Sequence, residues 1–381
     1  MIVKILILGM DGYIGWPLAL KQLSLGNEIL GIDKNVSKMD SWSAIPILEM
    51  SERLEFLKQK FDNKINFLEG DLIDKNFINE IIKNFQPDAI VHLAEQPSAP
   101  FSMIDQDKAI YTQHNNVIGT MNLLYAIKNF CPDTHLVKLG TMGEYGYDSG
   151  LEITEGFFEI EFRGKKATIP YPRQAGSWYH WSKVHDSNNI MFACKLWGIR
   201  STDIMQGIVY GTSTNEIINK ESYTRFDFDE AFGTAINRFC AQAVIGHPLT
   251  IYGQGGQTRG FLALIDSIQC ISILLKNPPE KNEYRVVNQF DEQYNITELA
   301  KKVQTIGNKK GLNVEISSFD NPRVENEKNY YKADHIKLQE LGFQATRAID
   351  DEIELMLDDL IKYKDRVLEK KNSIIKDLKW R

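Results

Sequence analysis

Tyr179 and Lys183 stand four residues apart in the run Tyr179-His180-Trp181-Ser182-Lys183. On a helix that spacing puts both side chains on one face. A free tyrosine, with a pKa of about 10, is a poor base at neutral pH. A neighbouring ammonium favours its phenolate. Such a phenol takes the proton of a hydroxyl while a hydride leaves the same carbon. An acceptor for that hydride is indicated near the start of the chain. Gly9-Met10-Asp11-Gly12-Tyr13-Ile14-Gly15 follows an apolar run over 3–8. Glycines here let the backbone approach a pyrophosphate, and the next helix offers free N–H groups. Gly9, Asp11, Gly12, Tyr13, Ile14 and Gly15 are the expected dinucleotide contacts. Asp33 follows about 20 residues later, where an acid binds ribose hydroxyls. An extra ribose phosphate would be repelled by Asp33, so the expected cofactor is NAD.

Further candidates occupy the ends of later strand patterns. Asp71 and Leu72 fall where an adenine contact is expected, although Asp71 reads equally well as a helix cap. Leu93 and Glu95 follow the fourth strand pattern and face the same site. Asn115 and Asn116 lie in a long helix, where a carboxamide bridges to the site through water. Thr141 ends the fifth strand pattern, at the edge where ligands sit, and is placed to hydrogen-bond the reacting hydroxyl.

These residues need a frame. Strand patterns rich in Ile, Leu and Val cover 3–8, 28–33, 65–69, 89–93 and 136–139. Helical patterns cover 13–25, 77–85 and 106–129. This alternation predicts an α/β, Rossmann-type doubly wound parallel sheet. Residues 39–62 break the rhythm and read as an inserted loop plus helix. A hairpin is expected over 151–168, turning at Arg163-Gly164-Lys165-Lys166. A helix over 174–197 and a strand over 201–206 follow. Beyond these, mixed pieces at 228–246, 249–253, 284–289 and 296–307 predict a smaller α+β lobe. The expected division is a dinucleotide-binding domain over 1–206, to which 262–280 returns. Residues 207–261 and 281–345 form the substrate lobe, and 346–381 a charged helical tail.

The chain has 381 residues, a net charge of −7 and 43% apolar residues, an ordinary globular balance. The acidic balance argues against nucleic-acid binding. No apolar run approaches the ~18 residues of a membrane span, and no signal peptide is expected. Four scattered cysteines, without a Cys-x-x-Cys pair, predict free thiols in the cytoplasm. His92, His114, His135, His247 and His335 show no metal spacing, and His92 reads as structural.

The glycine turn, Thr141 and the Tyr179/Lys183 pair, in this order, resemble the extended short-chain dehydrogenase/reductase family, most of whose members modify nucleotide sugars. The resemblance implies that Arg259 and Arg323 bind the substrate diphosphate. Relatives that dehydrate sugars carry an Asp-Glu pair after the threonine. This chain has Met142-Gly143. Longer stretches resemble the UDP-sulfoquinovose synthase family within that group. They include Ala94-Glu95-Gln96, Leu139-Gly140-Thr141-Met142-Gly143-Glu144-Tyr145-Gly146, and Tyr179 through Ser187. Phe232 through Phe239 and Tyr252 through Gly260 belong to the same set.

That resemblance implies UDP-glucose and sulfite as substrates. C4 is oxidised against bound NAD with Tyr179 as base. The C5 proton and the C6 hydroxyl are lost, sulfite adds at C6, and C4 is reduced again. It also implies substrate contacts from Gln206, Arg238, Thr250, Tyr252 and Asn326. His180 is the nominee for C5 proton transfer, against a purely structural histidine. Glu144 is the weaker nominee, against a brace for its loop. Family members of the plant type carry an arginine where this chain has Pro97. Sulfite is then expected on Gln206, Arg238 or backbone N–H groups. Lys165 and Lys166 read as a solvated turn. A UDP-sugar 4-epimerase, a 4,6-dehydratase, or a non-catalytic NAD- or RNA-binding protein are the competing readings. Helices 106–129 and 174–197 are expected to pair in a homodimer or larger assembly.

Overall fold

The computed structural model describes residues 2–34, 43–62, 64–146, 150–321 and 332–374. Seven parallel strands form the central sheet. Their order across it is Tyr284–Gln289, Arg200–Gln206, His135–Leu139, Ala89–His92, Lys4–Leu8, Glu28–Asp33 and Ile65–Glu69. Strand Lys4–Leu8 pairs with Glu28–Asp33 on one side and Ala89–His92 on the other. Chain order reverses there, so a crevice opens beyond the carboxyl ends of these strands. Both faces of the sheet are covered. Ile5, Ile7, Val91 and Val137 pack under helices Gly15–Ser24 and Leu264–Lys276. Leu6, Leu8, Ile90 and Leu136 pack under Lys75–Phe85 and Gly119–Phe130. Such doubly buried strands read as continuous apolar runs, as these do.

Two glycines set the first turn. Gly9 has φ +86°, and a Cβ on Gly15 would stand 2.1 Å from the Gly9 carbonyl oxygen. Only glycine lets this helix begin so close to the strand. The long helix expected over 106–129 is present with a fault in it. Segments Gln106–Gln113 and Gly119–Phe130 flank a π-helical stretch at His114–Ile118. The hairpin pairs Phe157–Phe162 with Lys165–Pro170, and Arg163 and Gly164 turn with positive φ.

Strand Tyr284–Gln289, expected in the smaller lobe, is instead the edge strand of the central sheet, paired with Arg200–Gln206. Its alternation and length carry no mark of the sheet it joins. The smaller lobe holds the strands Ile208–Tyr210, Thr258–Ala263 and Glu292–Asn295 in one sheet. Leu249–Tyr252 and Ile316–Phe319 form another. Helix Ile349–Lys362, expected as a tail, is built into this lobe. Its Ile353, Met356, Leu357 and Leu360 are fully buried beside Phe239 and Val303. All four cysteines are free and buried.

Candidate active site

A cavity of about 1020 Å³ opens at the carboxyl edge of the sheet, between the sheet and the smaller lobe. Gly9, Gly12, Tyr13, Ile14 and Gly15 line one end of it. Asp33 closes this end. Its Oδ2 accepts the Asp11 N–H at 2.9 Å and its Oδ1 the Lys34 N–H at 2.7 Å. Burial, and then the charge of Asp11, raise the Asp33 carboxyl to about 6. Asp71, Leu72, Leu93, Glu95 and Asn115 complete the wall. Helix Lys75–Phe85 is capped by Asp74 and not, as one reading had it, by Asp71, which lines the wall. Asp71 Oδ1 accepts the Ile73 N–H at 3.1 Å, while its other oxygen meets Lys34 Nζ at 2.8 Å. Lys34 also donates to Asn115 Oδ1 at 2.9 Å. No motif points to Lys34, and its one signal in the sequence is its place directly after Asp33.

The Asp11 side chain departs from expectation, because it turns away from the cavity. Its carboxylate pairs with Arg53 at 2.6 Å, with both side chains buried. The Arg53 guanidinium lies 3.6 Å from the centre of the Trp16 ring. Helix Met50–Lys60 is thereby tied to the glycine turn. Asn116 is likewise a lock. It joins Gln96 through its Oδ1 at 2.8 Å and donates to Ser182 Oγ at 2.9 Å. This holds the π-helical stretch against the helix that carries Tyr179.

That helix is Trp178–Trp197, capped by Ser177, whose Oγ accepts the His180 N–H at 3.2 Å. Tyr179, His180 and Lys183 line the middle of the cavity, with Thr141 among them. Lys183 Nζ donates to the Leu139 carbonyl at 2.6 Å and lies 5.8 Å from the Tyr179 ring centre. Thr141 Oγ1 accepts the Gly143 N–H at 3.1 Å, which fixes the turn after its strand. The His180 ring is oriented by Ser177, 2.9 Å from its Nδ1. A Cβ on Gly143 would meet His180 Nε2 at 2.3 Å. The imidazole therefore fills the space that a side chain at position 143 would need. Glu144 is fully buried and engaged. It meets Lys138 at 3.2 Å, Arg173 at 2.5 Å and Ser187 Oγ at 2.9 Å. Its Oε1 also accepts the Thr141 N–H at 3.3 Å. It braces the Thr141 loop.

Gln206 and Arg259 line the far end of the cavity. Gln206 Nε2 donates to Gln289 Oε1 at 2.7 Å. Arg238, Thr250 and Tyr252 do not line the cavity, contrary to expectation. Thr250 is buried, pairing through both its hydroxyl and its N–H with the Gln242 side chain. Arg238 is buried within helix Ala235–Ile245, 5.2 Å from the Tyr252 ring centre, and burial lowers its pKa. The smaller lobe uses these polar groups for its own packing. Arg323 and Asn326 lie outside the described residues. The cavity adds Arg225 and Asp227, joined at 2.7 Å, and the rings of Phe101 and Phe232. Phe232 opens one of the stretches that carry the family resemblance, and no motif marks the other three in the sequence. Among the described residues no group of His, Cys, Asp or Glu is placed to hold a metal ion.

A Rossmann sheet, a glycine turn at its switch point and a Thr-Tyr-Lys cluster beside a wide cleft define a nucleotide-sugar type of short-chain dehydrogenase/reductase. A family model described as GDP-mannose 4,6 dehydratase matches residues 6–356. The chain is 47% identical to the chloroplastic UDP-sulfoquinovose synthase of Spinacia oleracea, over 99% of this chain and 79% of the relative. It is 46% identical to the UDP-sulfoquinovose synthase of Sulfolobus acidocaldarius, over 99% of this chain and 98% of the relative. Among solved structures, the UDP-glucose 4-epimerase of Thermotoga maritima with UDP-glucose has a TM-score of 0.72 at 17% identity, covering 94% of this chain and 99% of its own. The UDP-glucuronic acid 4-epimerase of Bacillus cereus, solved as a point mutant with NAD, has the same TM-score at 20% identity and the same coverage. These two show the fold. The chain belongs to the UDP-sulfoquinovose synthase family.

Proposed function

We propose that this enzyme makes UDP-sulfoquinovose from UDP-glucose and sulfite with NAD retained in the site. The observation that carries the reading is the meeting of Thr141, Tyr179, Lys183 and His180 in one cavity, with His180 standing over a bare Gly143. The residues present fit the cofactor. The bare backbone at Gly9, Gly12 and Gly15 leaves room for a pyrophosphate, and Asp33 lies at the same end. When bound, NAD accepts a hydride from C4 and later returns it.

The rest belongs to the protein. Tyr179 takes the C4 hydroxyl proton, with Lys183 favouring its ionised form. Thr141 holds the same hydroxyl. The C4 ketone acidifies the C5 proton. His180 takes that proton and passes it to the departing C6 oxygen, so water leaves and the imidazole ends neutral. Glu144 is occupied with four partners, which leaves one imidazole for both transfers. Sulfite then forms the new C–S bond at C6, and C5 regains a proton. The net change is UDP-glucose plus hydrogen sulfite to UDP-sulfoquinovose plus water. Arg259 is assigned to the diphosphate, where a guanidinium forms paired hydrogen bonds. Gln206 is assigned to the sugar end, and the smaller lobe to the uridine. We also place the enzyme in a reducing, cytoplasmic setting, in keeping with its free thiols.

The test is incubation of the purified protein with UDP-glucose, with and without sulfite, followed by mass spectrometry. A sulfonated UDP-hexose that requires sulfite is expected. UDP-galactose or a 4-keto-6-deoxy sugar as the sole product, with sulfite present, overturns the proposal.

A further inference from the structure

Glu95 lines the cavity, yet its carboxylate is turned to the catalytic ammonium. Its Oε2 is 2.9 Å from Lys183 Nζ, and the two side chains are 1% and 5% exposed. The Leu139 carbonyl holds the same ammonium at 2.6 Å, so Lys183 is fixed from two strand ends. Burial opposes the Glu95 charge, but Lys183, ahead of the other neighbours, keeps its carboxyl below the ordinary value.

The other charged groups packed here come from several elements. His92, at the end of the preceding strand, is 3.8 Å from Glu95 Oε1 and is lowered to about 4 by burial. Asp186, one turn beyond Lys183 on the same helix, is fully buried. Burial, and then the Glu95 charge, raise its carboxyl well above the ordinary range. Lys138, on strand His135–Leu139, stands 3.2 Å from Glu144 and 3.5 Å from Asp203. Arg173 meets Glu144 from the loop before the helix. Among these acids, Glu144 and Asp203 stand against Lys138, and Glu95 is the one within ion-pair distance of Lys183.

We propose that Glu95 is a positioning residue that anchors the Lys183 ammonium and supplies its counter-charge while Tyr179 still carries its proton. This rests on Tyr179 serving as the base of the proposed reaction. A buried ammonium without an anion draws a nearby phenol toward phenolate. Glu95 damps that pull.

The experiment is a tyrosinate titration by ultraviolet absorbance on the holoenzyme. The wild type and the Glu95→Gln variant are each measured against the same protein carrying Tyr179→Phe, so the difference reports Tyr179 alone. Glu95→Gln is expected to lower the Tyr179 midpoint by about one pH unit, a tenfold rise in phenolate below the midpoint. Glu95→Asp is expected to fall between the two. Should the Gln variant not fold, the Asp variant against the wild type carries the test. A midpoint that is unmoved or raised in the variant overturns the proposal, including the case where only thermal stability changes. No sugar or sulfite enters this titration, so it stands or falls separately from the product assay.

Discussion

Tyr179 reaches the cavity from the first turn of its helix, and its N–H is held by Ser102 Oγ at 3.0 Å. Removing its hydroxyl alone leaves this frame in place. Tyr179→Phe should lower kcat by roughly 10²–10⁴-fold with little change in the melting temperature. His180→Asn should behave differently. Bound NADH should still accumulate on mixing with UDP-glucose, while elimination and sulfonate formation stop. Stopped-flow absorbance of the reduced cofactor separates the two variants. Asp33 gives a pH prediction. Its carboxyl titrates near 3.8 when unfolded and about 6 when folded. The folded protein holds this proton more tightly, so the stability it adds is complete below about pH 4. That stability is lost as pH rises through about 6, at up to about 1.4 kcal/mol per pH unit. Cofactor binding runs the other way, because the ionised carboxylate accepts ribose hydroxyls. NAD affinity, measured by calorimetry, should rise between roughly pH 5 and pH 7, and Asp33→Asn should flatten that rise. Tyr179, Lys183, Thr141 and Asp33 are legible in the sequence because each has a fixed offset from a strand end or a helix turn. Arg225 and Asp227 have no such offset, and only the folded loop brings them to the cavity.

Helix Met50–Lys60 shows what an apparent insertion can do. Arg53 reads as one more charge on a polar helix, yet it is buried against Asp11 and Trp16. Its partner lies 42 residues away, and nothing in local spacing announces the pairing. Arg53→Ala leaves Asp11 as a buried charge without its guanidinium beside the glycine turn, at a cost of about 3–5 kcal/mol. Urea unfolding monitored by circular dichroism should show this loss. The π-helical stretch at His114–Ile118 is equally hidden, since one added residue in the ladder leaves the apolar period almost intact. Strand types and most boundaries follow from the alternation of apolar runs. Sheet membership does not, as Tyr284–Gln289 illustrates. Helix Ile349–Lys362 carries the opposite lesson. Its apolar face, legible as amphipathic, closes the smaller lobe, so Leu357→Ala should destabilise the protein by about 2–5 kcal/mol.

At the scale of the molecule, an apolar stripe remains on the surface. Ile110, Trp178, Phe192 and Leu196 are each at least half exposed, on neighbouring helices. We expect two copies to meet there. Light scattering should give the mass of a dimer, and Phe192→Glu with Leu196→Glu should give a monomer that keeps its circular dichroism. Among the described residues no helix is long and apolar enough to cross a membrane. The cysteines have a bearing on the proposed co-substrate. Sulfite is a soft nucleophile, and the sulfur of a disulfide is open to attack of that kind. This fold offers it no cystine to cleave, since all four thiols are free and buried. Burial also pushes the Cys131 and Cys194 thiols up to about 12, which starves them of reactive thiolate. The scaffold is thus chemically indifferent to the reagent it is proposed to handle, and it should survive sulfite concentrations that would unstitch a cross-linked protein.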